Sequence, residues 1–164
     1  MSTQATLDTP TLTRVTTQVV VSGAIVLNER NEVLLTRRHQ PELPDAHGRW
    51  EMPAGKVEWN ESPHQTAVRE VLEETGFVVE ADPTRVAVKD MVWNFPTKDV
   101  HTILLAYRCR LIGGERRVPG GKIADVRWWP VHGLPLDNIL PLDDEFIFEL
   151  TGVTDPRGVR HGSQ

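Results

Sequence analysis

The sequence predicts an α/β fold, a sandwich built on a mixed β-sheet, and three observations predict it. Several β-branched or aliphatic runs are separated by turn residues, one segment is marked at both ends as a helix, and a second helical pattern lies near the C-terminus. At 164 residues the chain suits a single domain, expected over 14–152. A loose polar arm is expected over 1–13 and a flexible tail over 153–164.

The elements follow in chain order. Val15 to Leu27 and Glu32 to Arg37 are apolar runs flanking Asn28-Glu29-Arg30-Asn31, which reads as a hairpin. Residues 39–49 contain Pro41, Pro44 and Gly48 and read as a loop leading to a short extended piece at Trp50 to Pro53. Arg85 to Trp93 and Val100 to Leu111 read as strands joined through Asn94, Pro96 and Asp99. In the second of these, alternation puts Tyr107, Cys109 and Leu111 on one face, so Cys109 is expected to be buried packing. Asp125 to Trp129 is a further strand, and Leu142 to Leu150 a closing helix.

Ser62 to Thr75 is the best-marked helix. Ser62 suits the N-cap, Pro63 the first helical position, Gln65 a capping box and Gly76 the C-terminal stop. Ala67, Val68, Val71 and Leu72 form a stripe expected to pack inward, while Glu70, Glu73 and Glu74 fall on the other side within an arc of about 100°.

Composition excludes several functions. A net charge of -5, with no run of five basic residues, argues against general nucleic-acid binding. The longest apolar stretch, Val19 to Leu27, is far short of the roughly 20 residues that span a bilayer, so no membrane partner is expected. The N-terminus lacks the pattern of a secretory signal, and one cysteine allows no internal disulfide, so the cytoplasm is the expected location.

The three glutamates repel one another, and Glu73 and Glu74 lie where the helix dipole disfavours negative charge. A solvated acidic face is one reading. The alternative is a site for a hard cation such as Mg²⁺, which takes carboxylate oxygens, keeps open positions for phosphates and turns an acidic face into a phosphate-binding one. The other residue types offer no zinc spacing and no P-loop.

From Gly55 to Phe77 the sequence reads Gly55, five residues, Glu61, seven residues, Arg69-Glu70-Val71, one residue, Glu73-Glu74, one residue, Gly76-Phe77. These 23 residues match the Nudix box with no departure, so the chain resembles the Nudix hydrolases. The resemblance implies a Nudix-type α/β/α sandwich around a mixed β-sheet and cleavage of a diphosphate linkage in a nucleoside diphosphate bonded to another group. It further implies Mg²⁺, with Mn²⁺ as a substitute, and metal-ligand or base roles for Glu70, Glu73 and Glu74. The Gly55 carbonyl would complete the metal site, and Glu61 and Arg69 would form a structural ion pair. In that family a carboxylate outside the box can serve as base. Glu115 and Asp125 are the candidates here, with a hairpin tip and a strand start as their ordinary readings.

Over about residues 18 to 150 the chain also resembles the MutT-like branch in part. Asn31 to Arg38 is similar to the strand preceding the box there, and Asn94-Phe95-Pro96 with His101-Thr102 to its later hairpin. That likeness implies a nucleotide contact for Arg37 or Arg38. It implies a purine-reading role for Asp143 or Asp144, which could equally cap the closing helix. Trp93, Phe95 and Trp50 are candidates to stack on a base, with core or rim packing as the alternative.

The expected reaction is Mg²⁺-dependent hydrolysis of a nucleoside triphosphate, a modified or deoxy form included, to monophosphate and pyrophosphate. An ADP-ribose or nucleotide-sugar pyrophosphatase is the alternative within the class, and a non-catalytic nucleotide-binding module the alternative outside it. Monomer and homodimer both remain open.

Overall fold

The structure, a computed structural model, describes residues 13–159. The expected arm lies outside these residues except for Thr13.

β1 (Val15–Leu27) turns through Asn28–Asn31 into β2 (Glu32–Arg38). Asn31 takes the left-handed conformation at φ 59°, which asparagine tolerates. The Asn28 Oδ1 accepts the backbone N–H groups of Arg30 and Glu32 at 2.9 and 3.0 Å, closing the turn. β3 (Trp50–Glu51), β4 (Ala54–Lys56) and α1 (Pro63–Thr75) follow, then β5 (Phe77–Asn94), β6 (Lys98–Gly114), β7 (Ile123–Pro130) and α2 (Asp143–Thr151).

The strands form one seven-stranded mixed sheet in the order β3-β2-β1-β6-β5, with β4 on β1 and β7 on β2. β1 runs parallel to β6 along its whole length, from Val15 opposite Lys98 to Leu27 opposite Arg110. Its other edge is shared. It meets β2 at Leu27 opposite Val33, and meets β4 where Val21, Ser22 and Gly23 pair with Lys56, Gly55 and Ala54. Gly23 permits this second pairing, because a Cβ there would lie 2.8 Å from the Ala54 Cβ and 2.9 Å from the Pro53 carbonyl oxygen.

Side-chain alternation gives β1 two buried faces. Ala24 and Val26 pack with Leu34, Val71, Tyr107 and Cys109 in the core under α1. Ile25 packs with Leu35, Met52, Phe146 and Ile147 in the core under α2. The architecture is thus helix, sheet, helix, as expected for an α/β/α sandwich. Cys109 is 2 % exposed, and burial pushes its thiol up to about 12.

Several local expectations need correction. The strand expected from Arg85 begins at Phe77 and carries a bulge between Ala81 and Val86, so the Asp82-Pro83 punctuation bends the strand without ending it. β4 has only three residues and gave no periodic signal. Leu72, placed in the packing stripe of α1, is 43 % exposed, whereas Thr66 and Thr75 are buried. Residues 153–159 do not form a loose tail from their start: Val153 packs on the α2 core and Asp155 is buried. Arg157 binds Asp155 and reaches Asp144, which fastens the segment to the start of α2. Among the described residues no helix is long and apolar enough to cross a membrane.

Phe146 is fully buried at the centre of the α2 core. Phe146→Ala is expected to cost about 3–5 kcal/mol in urea denaturation, and a loss below about 1 kcal/mol would show that α2 does not seal that face.

Candidate active site

The split edge of β1 decides where the site lies. β3 leaves on β2, β4 rejoins β1, and α1 crosses the face of both, so the acidic side of the helix looks onto the β3–β4 connection. The helix starts where its sequence says: the Ser62 N–H donates to the Gln65 side chain at 3.0 Å, one half of the capping box. It stops at Gly76, whose φ of 81° is the left-handed cap and whose N–H donates to Leu72 O.

Arg69 ties the preceding loop to this helix. Its Nε and Nη2 donate to the two Glu61 oxygens at 2.8 and 3.0 Å, and Nη2 also reaches the Lys56 carbonyl at 3.2 Å. Its Nη1 donates to Glu70 at 2.6 Å and to Glu73 at 3.1 Å. Glu61 further accepts from the Thr66 hydroxyl at 2.7 Å and the Glu58 N–H at 3.2 Å. This set of donors, Arg69 first, holds the Glu61 carboxyl down at about 2, and the same pairing raises Arg69.

The three box glutamates occupy unlike environments. Glu73 is 57 % exposed. Glu70 is half-buried against β4, and a Cβ on residue 55 would overlap its carboxylate, so any other residue there would displace Glu70. Burial raises the Glu70 carboxyl against the pull of Arg69. Glu74 turns inward, contrary to the expectation that all three glutamates face away from the packing: its Oε2 is buried with no hydrogen-bond partner. Burial, with Glu51 and Glu70 nearby, pushes the Glu74 carboxyl up to about 9.

Two acids beyond the box complete the cluster. Glu51 of β3 is buried and held by Arg38, which donates from Nε and Nη2 at 2.6–3.1 Å. Burial pushes Glu51 up while this guanidinium pulls it back. Asp143, 2 % exposed, accepts the Met52 backbone N–H at 2.7 Å, and burial raises it as well. Glu51 escaped the sequence reading; its signal was an acid set between Trp50 and Met52 in an otherwise apolar run just before Gly55.

The remaining candidates divide. Arg38 lies inside the cluster, whereas Arg37 is exposed and braces the following loop through the Gly48 carbonyl at 3.1 Å. Neither Asp143 nor Asp144 caps α2: the N-cap is Leu142, Asp143 is turned to Met52 and Asp144 to Arg157. Trp93 lies on the α2 face of β5, as Lys89 does, which binds Glu145 and Glu149 of that helix. Arg85 binds Leu150 O near the far end of α2, so the strand followed from Arg85 to Trp93 runs toward the start of the helix and Asp143. Phe95 stands at the tip of the β5–β6 hairpin beneath Lys98. Trp50 is committed to packing, 6 % exposed and edge-on to Trp129 at 5.2 Å. Asp125 is taken by Arg116 at 2.8 Å and Arg127 at 3.0 Å. Glu115 is exposed beside the C-terminus of α1, where Arg117 donates to Glu73 O and Thr75 O.

Chemically the cluster suits a hard divalent cation. Its donors are carboxylates with a backbone carbonyl beside them, and the orphaned Glu74 oxygen among like charges is the arrangement a cation would relieve. Among the described residues no three such groups converge into a ready cage, because Glu70 and Glu73 lean on Arg69.

Residues 17–150 match the NUDIX domain family. A Mycobacterium tuberculosis protein provisionally named 8-oxo-dGTP diphosphatase 2 is 39 % identical over 122 residues, 69 % of this chain and 81 % of that protein. The 8-oxo-dGTP diphosphatase of Escherichia coli is 32 % identical over 134 residues, covering 79 % of this chain and 94 % of its own. Among solved structures, the MutT NUDIX hydrolase from Burkholderia pseudomallei superposes with a TM-score of 0.66 at 24 % identity, over 82 % of this chain and 98 % of that one.

The Glu61–Arg69 pair has a pH signature. A folded pKa of about 2 against an ordinary 4.5 means that the pair stabilises fully above about pH 4.5 and is lost as pH falls through 2. Glu61→Gln should therefore flatten the acid limb of stability between those values, followed as urea midpoint against pH. Superimposable acid limbs for wild type and variant would contradict the pairing.

Proposed function

Because the chain belongs to the NUDIX family and is a hydrolase acting on pyrophosphate bonds, we propose that it converts a purine nucleoside triphosphate to the monophosphate and pyrophosphate with the help of Mg²⁺. The observation that carries this reading is the buried Glu74 oxygen, without a hydrogen-bond partner, between Glu51 and Glu70, a concentration of carboxylate that a bound cation would offset. The names of the two relatives support 8-oxo-dGTP as the first substrate to test.

Glu70, Glu74 and the Gly55 carbonyl would hold the ion. When bound, it withdraws charge from the bridging phosphates and lowers the pKa of a coordinated water. Glu73, exposed at the rim, would orient the attacking water. Arg69 keeps Glu70 and Glu73 in register with the loop that carries Gly55. Arg38, anchored by Glu51, and the exposed Arg37 present positive charge beside the phosphates. Trp93 and Asp143, on the α2 face, flank the base.

Three measurements test this reading. Glu74→Gln should lower kcat by about 10²-fold or more with an unchanged circular dichroism spectrum, and near-normal turnover would contradict the role of Glu74. A carboxyl held at about 9 is protonated at neutral pH, so Mg²⁺ binding should release about one proton. Calorimetry in buffers of different ionisation enthalpy reads that number, and zero release excludes Glu74 as a ligand. A panel of 8-oxo-dGTP, dGTP, ADP-ribose and a nucleotide sugar fixes the substrate; turnover confined to the last two overturns the triphosphate assignment.

A further inference from the structure

The sheet face that carries α2 continues past the end of that helix. On β6, Leu104 and Ala106 pack in the α2 core, and period-two alternation puts Arg108 and Arg110 on the same face. Arg108 stands opposite Ile25 of β1 and Arg110 opposite Leu27. The C-terminal carbonyls of α2 are already answered by Arg85, which donates to Leu150 O at 2.9 Å. Arg108 therefore has no helix end to serve.

It also has no acid. Arg30 is paired with Glu32, and Arg110 with Glu80, whereas Arg108 makes no ion pair among the described residues. Its Nη1 is buried without a hydrogen-bond partner. Burial and the neighbouring Arg85 both lower its pKa, the mark of a cation with uncompensated charge. In a chain of net charge -5 this local excess is notable because it opposes the overall balance.

Two clefts open on this guanidinium. One, of 670 Å³, lies between the Asn28–Asn31 turn and β6, with Arg30, Arg108, Arg110 and Trp128 in its walls. The other, of 400 Å³, lies under the β5 bulge and shares Arg108 and Arg110. The acids near them are committed or outlying. Glu80 is held by Arg110, and Asp82 accepts from the Thr84 N–H and hydroxyl at 2.9 and 2.6 Å. Glu29 is an exposed residue of the turn. A planar guanidinium with free N–H groups suits a phosphate oxyanion, which it binds through two parallel hydrogen bonds.

We propose that Arg108 anchors a second ligand site, separate from the carboxylate cluster, that takes a phosphate oxyanion in the cleft between the Asn28–Asn31 turn and β6, with Arg30 and Arg110 at its rim. The two sites lie toward opposite ends of α2: Asp143 of the carboxylate cluster is at the start of that helix, whereas Arg108 neighbours Arg85, which binds Leu150 O at its far end. An oxyanion there removes the cost of a half-buried unpaired cation, so its binding raises the stability of the fold.

The test uses the full chain in chelator, so that the carboxylate site is without its cation. Inorganic phosphate, pyrophosphate and a nucleoside monophosphate are each titrated at constant ionic strength, following Tm and the Arg108 Nε–H resonance. The expected result with at least one of the three is a saturable rise in Tm and a shift of that resonance, half-complete at or below about 1 mM. Which of them acts separates a free oxyanion from a nucleotide-borne one. Arg108→Met should fold with an equal or higher Tm, lose the ligand-dependent rise and keep its hydrolase activity. Arg108→Lys, which keeps the charge without the fork, should bind about tenfold more weakly and serves if the Met variant does not fold. An Arg108 resonance that does not move with any probe, or a rise in Tm that survives in Arg108→Met, overturns the proposal.

Discussion

One guanidinium holds the loop in front of α1 against the carboxylates that the helix brings together. Arg69 binds both oxygens of Glu61, the Lys56 carbonyl, Glu70 and Glu73, and so joins residues on either side of the helix start. Without that cation, Glu61, Glu70 and Glu73 would be three like charges around a loop with little packing of its own. The loop in turn brings Gly55 against Glu70, so closely that a side chain on residue 55 would push the Glu70 carboxylate aside. The fixed order of glycine, acid and arginine is therefore a consequence of geometry: each group is needed where the next one stands.

Charge in this protein is sorted by depth. Glu73 faces water, Glu70 is shared between Arg69 and β4, and Glu74 is turned inward with an orphaned oxygen. Behind them Glu51 and Asp143 are buried but answered, one by Arg38 and the other by a backbone N–H. A buried carboxyl oxygen without a partner is unfavourable, so the cluster concentrates its unmet demand on Glu74 Oε2. Toward the far end of α2 the sign reverses at Arg108, where burial leaves a cation unpaired. These two positions are where the fold leaves charge for something else to complete.

The sheet supplies the room for this arrangement. β1 gives the whole of one edge to β6 and divides the other between β2 and β4, so the chain between β3 and β4 crosses the gap with Glu51, Met52 and Pro53. Both faces of β1 are buried, which fixes its register, and that register sets Gly55 opposite Ser22.

The bounds of α1 were legible in the sequence, because its capping and stop signals are local and agree with one another. The Gly55 to Phe77 spacing was legible too, since short-range geometry around one helix leaves few residue types possible at each position. The hairpin of β1 and β2, the closing helix and the burial of Cys109 followed from alternation and turn chemistry. Tertiary structure decided what depends on partners distant in the chain. It turned Glu74 inward and Leu72 outward, because the burial of a helical residue depends on which part of the sheet passes beneath it. It recruited Glu51 and Asp143, 92 positions apart, to one cluster, gave Arg38 to Glu51, and assigned Asp125 to two arginines. No local pattern carries such pairings, because a side chain's charge state and partner are set by the dielectric and the neighbours it meets only after the sheet has closed.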